Sequence, residues 1–263
     1  MSHNIHPTAI ISTTAKISKT AKVGAYCIIG DDVILHDNVT LKSHICIDGV
    51  TQIGENTLIH PFSSIGSVPQ DLKYQGEAGQ LKIGKNNIIR EHVTINIGTM
   101  GGGMVTSVGD NNLLMTGVHI GHDCHVGNHV ILVNNATLAG HVTIGDGAVL
   151  GGLSAVHQFC RIGQLAMIGG MSGVENDVIP FGTVMGNRAI LKGLNLIGLD
   201  RANYEKSDIH SMRNAYKKLF DKANGSFDSR IQAIADEYPD SPLVSEVISF
   251  LRQPTKRRYV MPD

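Results

Sequence analysis

An aliphatic residue recurs at every sixth position through most of this chain, from Ile5, Ile11, Ile17, Val23, Ile29, Leu35 and Leu41 to Ile59 and Ile65. The beat returns at Ile83, Ile89 and Ile95. After a phase slip it resumes at Val108 and Leu114 and continues to Ile168 and Val174. A helix would repeat near 3.6 residues and a half-buried strand at 2. A period of six is the hexapeptide pattern of a parallel β-helix, in which each repeat is one short strand and a turn. Two residues before each beat sits a small or β-branched residue, such as Ala21, Cys27, Val33, Val118, Cys124 or Ala136. Residues i and i−2 of a strand share a face, so one large and one small side chain point into each side of a narrow prism. The pattern predicts an all-β solenoid.

A solenoid grows along its axis, so 263 residues need not divide into several cores. Trp is absent and aromatics are 5%, as suits layers with small pockets. A formal net charge of −1 argues against a nucleic-acid binder. The beat starts at Ile5, leaving no room for a signal peptide, and no apolar run approaches membrane-spanning length. Cys27, Cys46, Cys124 and Cys160 show no CxxC spacing, and three fall at the small inward position, as reduced core cysteines of a cytosolic protein do.

The rhythm breaks at 67–82 and 96–107, two excursions of the kind that carry binding function on solenoids. Gly101 to Gly103 lie in the second; with no GK[ST] after them they predict a flexible loop, not a phosphate loop. The expected division is a β-helix over 1–187 and a helical domain over 188–263. Ser207 is expected to cap a helix carrying Ile209, Met212, Tyr216, Leu219 and Phe220 and ending near Asn224-Gly225. Ser226 and Ser241-Pro242 are expected to open two more. These helices would cover the open end of the prism. Residues 188–222 hold eight Lys/Arg against four Asp/Glu, a candidate docking face for an acidic partner, with Lys217 and Lys218 at its centre.

The chemistry gathers between His119 and His157, which enclose six of the thirteen histidines. Three hexads make one coil, so residues 18 apart stack at roughly 4.8 Å. This predicts a column of His122, Gly140 and Gln158 beside a second of Asp123, His141 and Phe159, all pointing outward. Histidine, carboxylate and a bare glycine backbone suit general-base catalysis with an oxyanion donor. A metal site at His119 and His125 would need ligands ~2.0–2.1 Å from one ion. Those residues sit one hexad apart on different faces, so no metal is expected within the chain, although a site shared across a subunit boundary escapes that reasoning.

The segments QDLKYQGE (70–77), GGGM (101–104), DNNLLMTGVHIGHDCHVGN (110–128), NNATLAGHV (134–142), GGLSAVHQFC (151–160), IGGMSGV (168–174) and RNAYKKLF (213–220) resemble the UDP-N-acetylglucosamine acyltransferases, which begin lipid A synthesis. The resemblance implies a left-handed β-helix, a homotrimer, a cytoplasmic setting, an acyl carrier protein as donor, a UDP-sugar as acceptor and no cofactor. It implies His122 as general base toward the sugar 3-hydroxyl, Asp123 as its orienting carboxylate and the Gly140 N–H as oxyanion donor. Gln70, Asp71, Lys73, His119, His141, His157 and Gln158 would contact sugar and phosphates. Asn195 and Arg201 would reach the nucleotide or the phosphopantetheine arm. The acyl chain would stop between Met167 and Met171, with Gly170 as the gate. Its axial offset from His122 is about 13 Å, and a side chain of only hydrogen there predicts a preference for chains on the order of fourteen carbons.

Two stretches depart from the family pattern. Asn96-Ile97-Gly98-Thr99 stands where many members read His-Arg-Gly-Thr, and Asp200-Arg201-Ala202 keeps one arginine of a basic pair. Both bear on the acceptor, and a UDP-sugar with a 3-amine, giving N-acylation, is the alternative they raise. More distant alternatives are a metal-dependent enzyme resembling γ-class carbonic anhydrase and a non-catalytic solenoid.

Overall fold

The computed structural model describes residues 4–263. The hexads form three parallel sheets whose strands are nearly all two to four residues long, with nine, eight and ten strands respectively. Consecutive strands go to successive sheets, so the chain winds as a parallel β-helix, and the coil is left-handed. Pairing partners are 18 residues apart in regular coils, as in Ile28 with Cys46 and His119 with Thr137. The beat residues and their i−2 partners fill the prism: Cys27 and Ile29, Val118 and Ile120, Ala136 and Leu138 are all buried.

Most corners beyond the first coil carry a residue with positive φ. Asparagine serves on one edge, where Asn38 donates to Asn56, Asn56 to Asn86 and Asn86 to Asn111, amide to amide at 3.2 Å per step. A left-handed backbone costs most residues about 1–2 kcal/mol, and this ladder offsets part of that. On a second edge Tyr26, His44, Phe62 and His92 stack ring on ring, with centroids 4.9–5.2 Å apart. The third edge carries Asp123, His141 and Phe159, with φ of 58°, 61° and 65°.

The two excursions leave from this third edge. Their strand-paired ends narrow them to 68–79 and 97–104. Around them the pairing offset becomes 30 residues (Val50 with Gln80) and then 25 (Gln80 with Val105), while the sheets continue unbroken.

The C-terminal boundary differs from expectation. A hairpin of Gly182–Met185 and Ile190–Leu194 joins the last sheet, its second strand antiparallel, so strand structure runs past residue 187. Four helices follow: α1 (Leu196–Arg201), α2 (Lys206–Phe220), α3 (Phe227–Glu237) and α4 (Pro242–Arg252). Ser226 and Ser241 cap α3 and α4 through Ser229 N–H and Val244 N–H. Ser207 does not cap α2. It lies inside the first turn, Glu205 holds the cap position without a side-chain bond, and the helix ends at Phe220. The short α1 has too few residues to show a periodic face, which is why the sequence did not announce it. The last residues return to the solenoid: Tyr259 bridges to Asp177, and Leu191 N–H donates to Met261.

Candidate active site

His122 and Asp123 occupy the corner between strands His119–Ile120 and His125–Val126. Both point away from the prism core, yet His122 is only 6% exposed and Asp123 2%. The side chains point outward as the spacing implies, and the second excursion folds over them and buries them. Asp123 Oδ1 accepts from Thr99 N–H at 2.8 Å, and Oδ2 accepts from Thr99 Oγ1 at 2.6 Å. Asp123 N–H donates to Thr106 Oγ1 at 2.8 Å. A Cβ on Gly102 would stand 2.0 Å from Asp123 Cγ, so glycine is what lets the loop approach so closely.

His122 Nδ1 donates to Asp123 Oδ2 at 2.7 Å. With a carboxylate as acceptor, the proton is assigned to Nδ1, leaving Nε2 as the free basic nitrogen. Nε2 lies 3.8 Å from Asp71 Oδ2 on the first excursion. A Cβ on Gly140 would meet Nε2 at 2.5 Å, so the glycine backbone lies bare against the imidazole. The Gly140 N–H makes no hydrogen bond among the described residues. The predicted columns are realised: His141 N–H donates to His122 C=O and Phe159 N–H to Gly140 C=O.

His141 stacks flat on Phe159 (4.4 Å, 11°) and meets His122 edge-on (4.9 Å, 85°). Burial lowers its pKa, and the charges of His122 and Lys256 lower it further against the opposing pull of Asp123 and Asp71. His119 shares a hydrogen bond with Thr94 Oγ1 at 2.7 Å, and burial lowers its pKa too. A cleft of about 650 Å³ opens here, bordered by both excursions, His141 and Phe159, with Asp71 and Lys73 among its walls.

The structure brings together His122, Asp123, Gly140, Asp71, Lys73 and His141. Gln70 is exposed on the same excursion; His157 and Gln158 are exposed one coil further on. Asn195 and Arg201 do not border the cleft. Asn195 is engaged with backbone, donating to Leu165 C=O and capping α1 through Gly198 N–H. Arg201 is exposed at the end of α1. Met167 lies in a strand paired with Val149 and Thr183. Gly170 is exposed at the edge carrying Leu153 and Met171, not the edge carrying His122. A path from His122 to Gly170 therefore has a lateral leg across one face in addition to the axial offset. His119, Thr137, Ala155 and Gly173 stand in register along that face, shrinking in that order.

The departures at 96 and 97 do not line the cleft. Asn96 Nδ2 donates to Ser67 and Val68 carbonyls, tying the roots of the two excursions, and Ile97 is buried in the core. Lys218 pairs with Glu237 on α3, while Lys217 of the expected docking pair makes no salt bridge among the described residues. Sequence reasoning missed Thr99, Thr106 and Gly102, and also Lys256 and Arg257 of the returning tail. Arg257 donates to His157 Nδ1 at 2.6 Å and to Gln158 C=O at 2.9 Å. No periodic signal links positions about a hundred residues apart.

Ligand atoms of His122, Asp123 and His141 lie within 4.8 Å of one another, a set that could be read as a metal centre. Two ligands about 2.0–2.1 Å from a tetrahedral ion sit roughly 3.3 Å apart. The 2.7 Å Nδ1–Oδ2 contact is shorter and is a hydrogen bond, and Oδ2 also accepts from Thr99. As arranged, the residues form a histidine–carboxylate dyad.

A transferase hexapeptide model matches residues 106–140, and a model described as UDP-N-acetylglucosamine O-acyltransferase, domain 2, matches 177–260. An acyl-[acyl-carrier-protein]–UDP-N-acetylglucosamine O-acyltransferase of Rickettsia felis is 54% identical over 256 residues, 97% of each chain. The chain belongs to the UDP-N-acetylglucosamine O-acyltransferase family. Solved family structures agree. That of Moraxella catarrhalis superposes with a TM-score of 0.94 at 40% identity over 98% of this chain and 100% of its own. That of Francisella novicida gives 0.94 at 37%, over 98% and 94%. The chain is thus an acyltransferase.

Proposed function

We propose that this acyltransferase moves a 3-hydroxyacyl group from acyl carrier protein to the 3-hydroxyl of UDP-N-acetylglucosamine, the first step of lipid A synthesis. The observation that carries the catalytic assignment is the buried dyad whose free Nε2 lies against the bare backbone of Gly140. His122 Nε2 removes the hydroxyl proton as the oxygen attacks the thioester carbonyl carbon. Asp123 holds the imidazole in the Nδ1–H tautomer and stabilises the imidazolium that forms. The Gly140 N–H receives the oxyanion of the tetrahedral intermediate. Collapse breaks the carbon–sulfur bond, and the leaving thiolate takes its proton from His122. No step calls for a cofactor.

The departures that raised a 3-amine acceptor lie in the scaffold at 96 and 97, so nothing in the site favours N-acylation. A homotrimer belongs to the same proposal. Its support is the second prism edge, where Tyr26, Phe62, Leu153 and Met171 are 55–74% exposed and need cover. Among the described residues no helix is long and apolar enough to cross a membrane. All four cysteines are free, in keeping with the reducing cytoplasm. The test is His122→Ala with acyl carrier protein thioester and UDP-N-acetylglucosamine. Turnover should fall ~10²–10⁴-fold, as for a lost general base, in a protein that still melts cooperatively. A folded variant of near-normal activity would remove His122 from this role.

A further inference from the structure

We infer that Lys256, on the returning C-terminal tail, is a phosphate-binding residue of the cleft. The inference rests on the acyltransferase function proposed above and extends its site to a segment that begins after the last helix. Several bonds fix that segment. Thr255 Oγ1 donates to Asp177 Oδ2 at 2.7 Å, and Asp177 N–H donates to Arg258 C=O at 2.8 Å. Arg257 grips His157 and Gln158, one coil beyond Gly140. Between these anchors Lys256 stands at the cleft wall with Nζ 4.4 Å from the centroid of Phe159. Phe159 carries His141, and His141 meets His122, so three ring contacts connect the ammonium to the base.

Lys256 has no salt-bridge partner among the described residues. The carboxylates in the same cleft are directed elsewhere. Glu77 accepts from the Gln75 and Met100 N–H groups, and Asp71 accepts from Lys73 N–H and lies beside His122. An ammonium over an aromatic face keeps N–H donors for a further ligand. Lys73 brings a second cation to the cleft. Two lysines without a salt bridge among the described residues suit a phosphate, and both proposed substrates carry one: the diphosphate of the UDP-sugar and the phosphodiester of the carrier protein's phosphopantetheine arm.

The experiment compares wild type, Lys256→Gln and Lys256→Arg. Steady-state KM is measured for UDP-N-acetylglucosamine and for the acyl carrier protein thioester separately. Calorimetric titrations with UDP and with phosphopantetheine accompany them and need no turnover. Lys256→Gln should raise one KM about tenfold, the scale of one charge-assisted hydrogen bond, with kcat largely kept, an unchanged melting temperature and recovery in Lys256→Arg. A raised acceptor KM with weaker UDP binding assigns the residue to the diphosphate; a raised donor KM with weaker phosphopantetheine binding assigns it to the carrier arm. Unchanged KM values and unchanged affinities in a folded Lys256→Gln protein overturn the inference. A wild type that transfers no acyl group would count against the proposed function alone, because the titrations still report on the phosphate site.

Discussion

A methyl group at Gly140 would stand 2.5 Å from His122 Nε2, closer than any relaxed contact allows. Gly140→Ala should therefore displace the base and cut kcat by a hundredfold or so, on the order of a lost oxyanion donor or base, with a cooperative melt showing that the variant still folds. Equal kcat in the two proteins would break the link between this backbone and the base. His141 offers a second check through pH. Burial holds its folded pKa below the unfolded value of about 6.5. Above that value both states are neutral and the residue adds no pH dependence. As pH falls below it, the unfolded chain binds the proton first, so stability declines until the folded pKa is reached. Denaturant titrations from pH 7.5 down to 5 should show a shallower decline in His141→Gln than in wild type; parallel curves would mean that His141 titrates alike in both states.

The excursion 97–104 acts as a roof over Asp123, and Thr99 is its fastening. Thr99→Val keeps the shape, removes the Oγ1 bond and leaves one buried carboxylate oxygen short of a donor. The expected cost is about 1–3 kcal/mol in stability, with reduced kcat because Asp123, still bonded to His122 and to the Thr99 N–H, is held less firmly; denaturant melts alongside kinetics would reveal either effect missing. The distinction between scaffold and roof explains what could be read beforehand. Coils repeat, so Ile29, Leu138 and the stacked column of His122 and Gly140 follow from spacing alone. Thr99, Gly102 and Thr106 lie in or beside an excursion that obeys no period, and the two threonine bonds to Asp123 and the close approach of Gly102 depend on how that loop folds. The same reason hid the hairpin across residue 187 and the tail at Lys256. Caps at Ser226 and Ser241 were legible because a cap is local chemistry.

At the scale of the whole molecule, we propose that donor length is set by the distance between two different edges of one prism. A chain reaching from His122 toward Gly170 crosses the face of His119, Thr137, Ala155 and Gly173, which adds to the axial offset of about 13 Å. Gly170 is exposed, and the contact nearest to an added Cβ is Gly152 O at 3.3 Å, so a larger side chain can project from that edge. Gly170→Met should move the optimum to a shorter acyl chain, read from a donor-length series on both proteins; identical profiles would place the stop elsewhere. The pairing offsets of 30 and 25 residues carry a separate implication for how such a protein diversifies. Losing one residue inside a hexad would throw every later coil out of phase. Adding or losing residues in 68–79 or 97–104 alters one corner and leaves each downstream partner in place. Heritable length variation in this lineage should thus collect at the cleft, where it changes the substrate accepted and leaves the ability to fold intact.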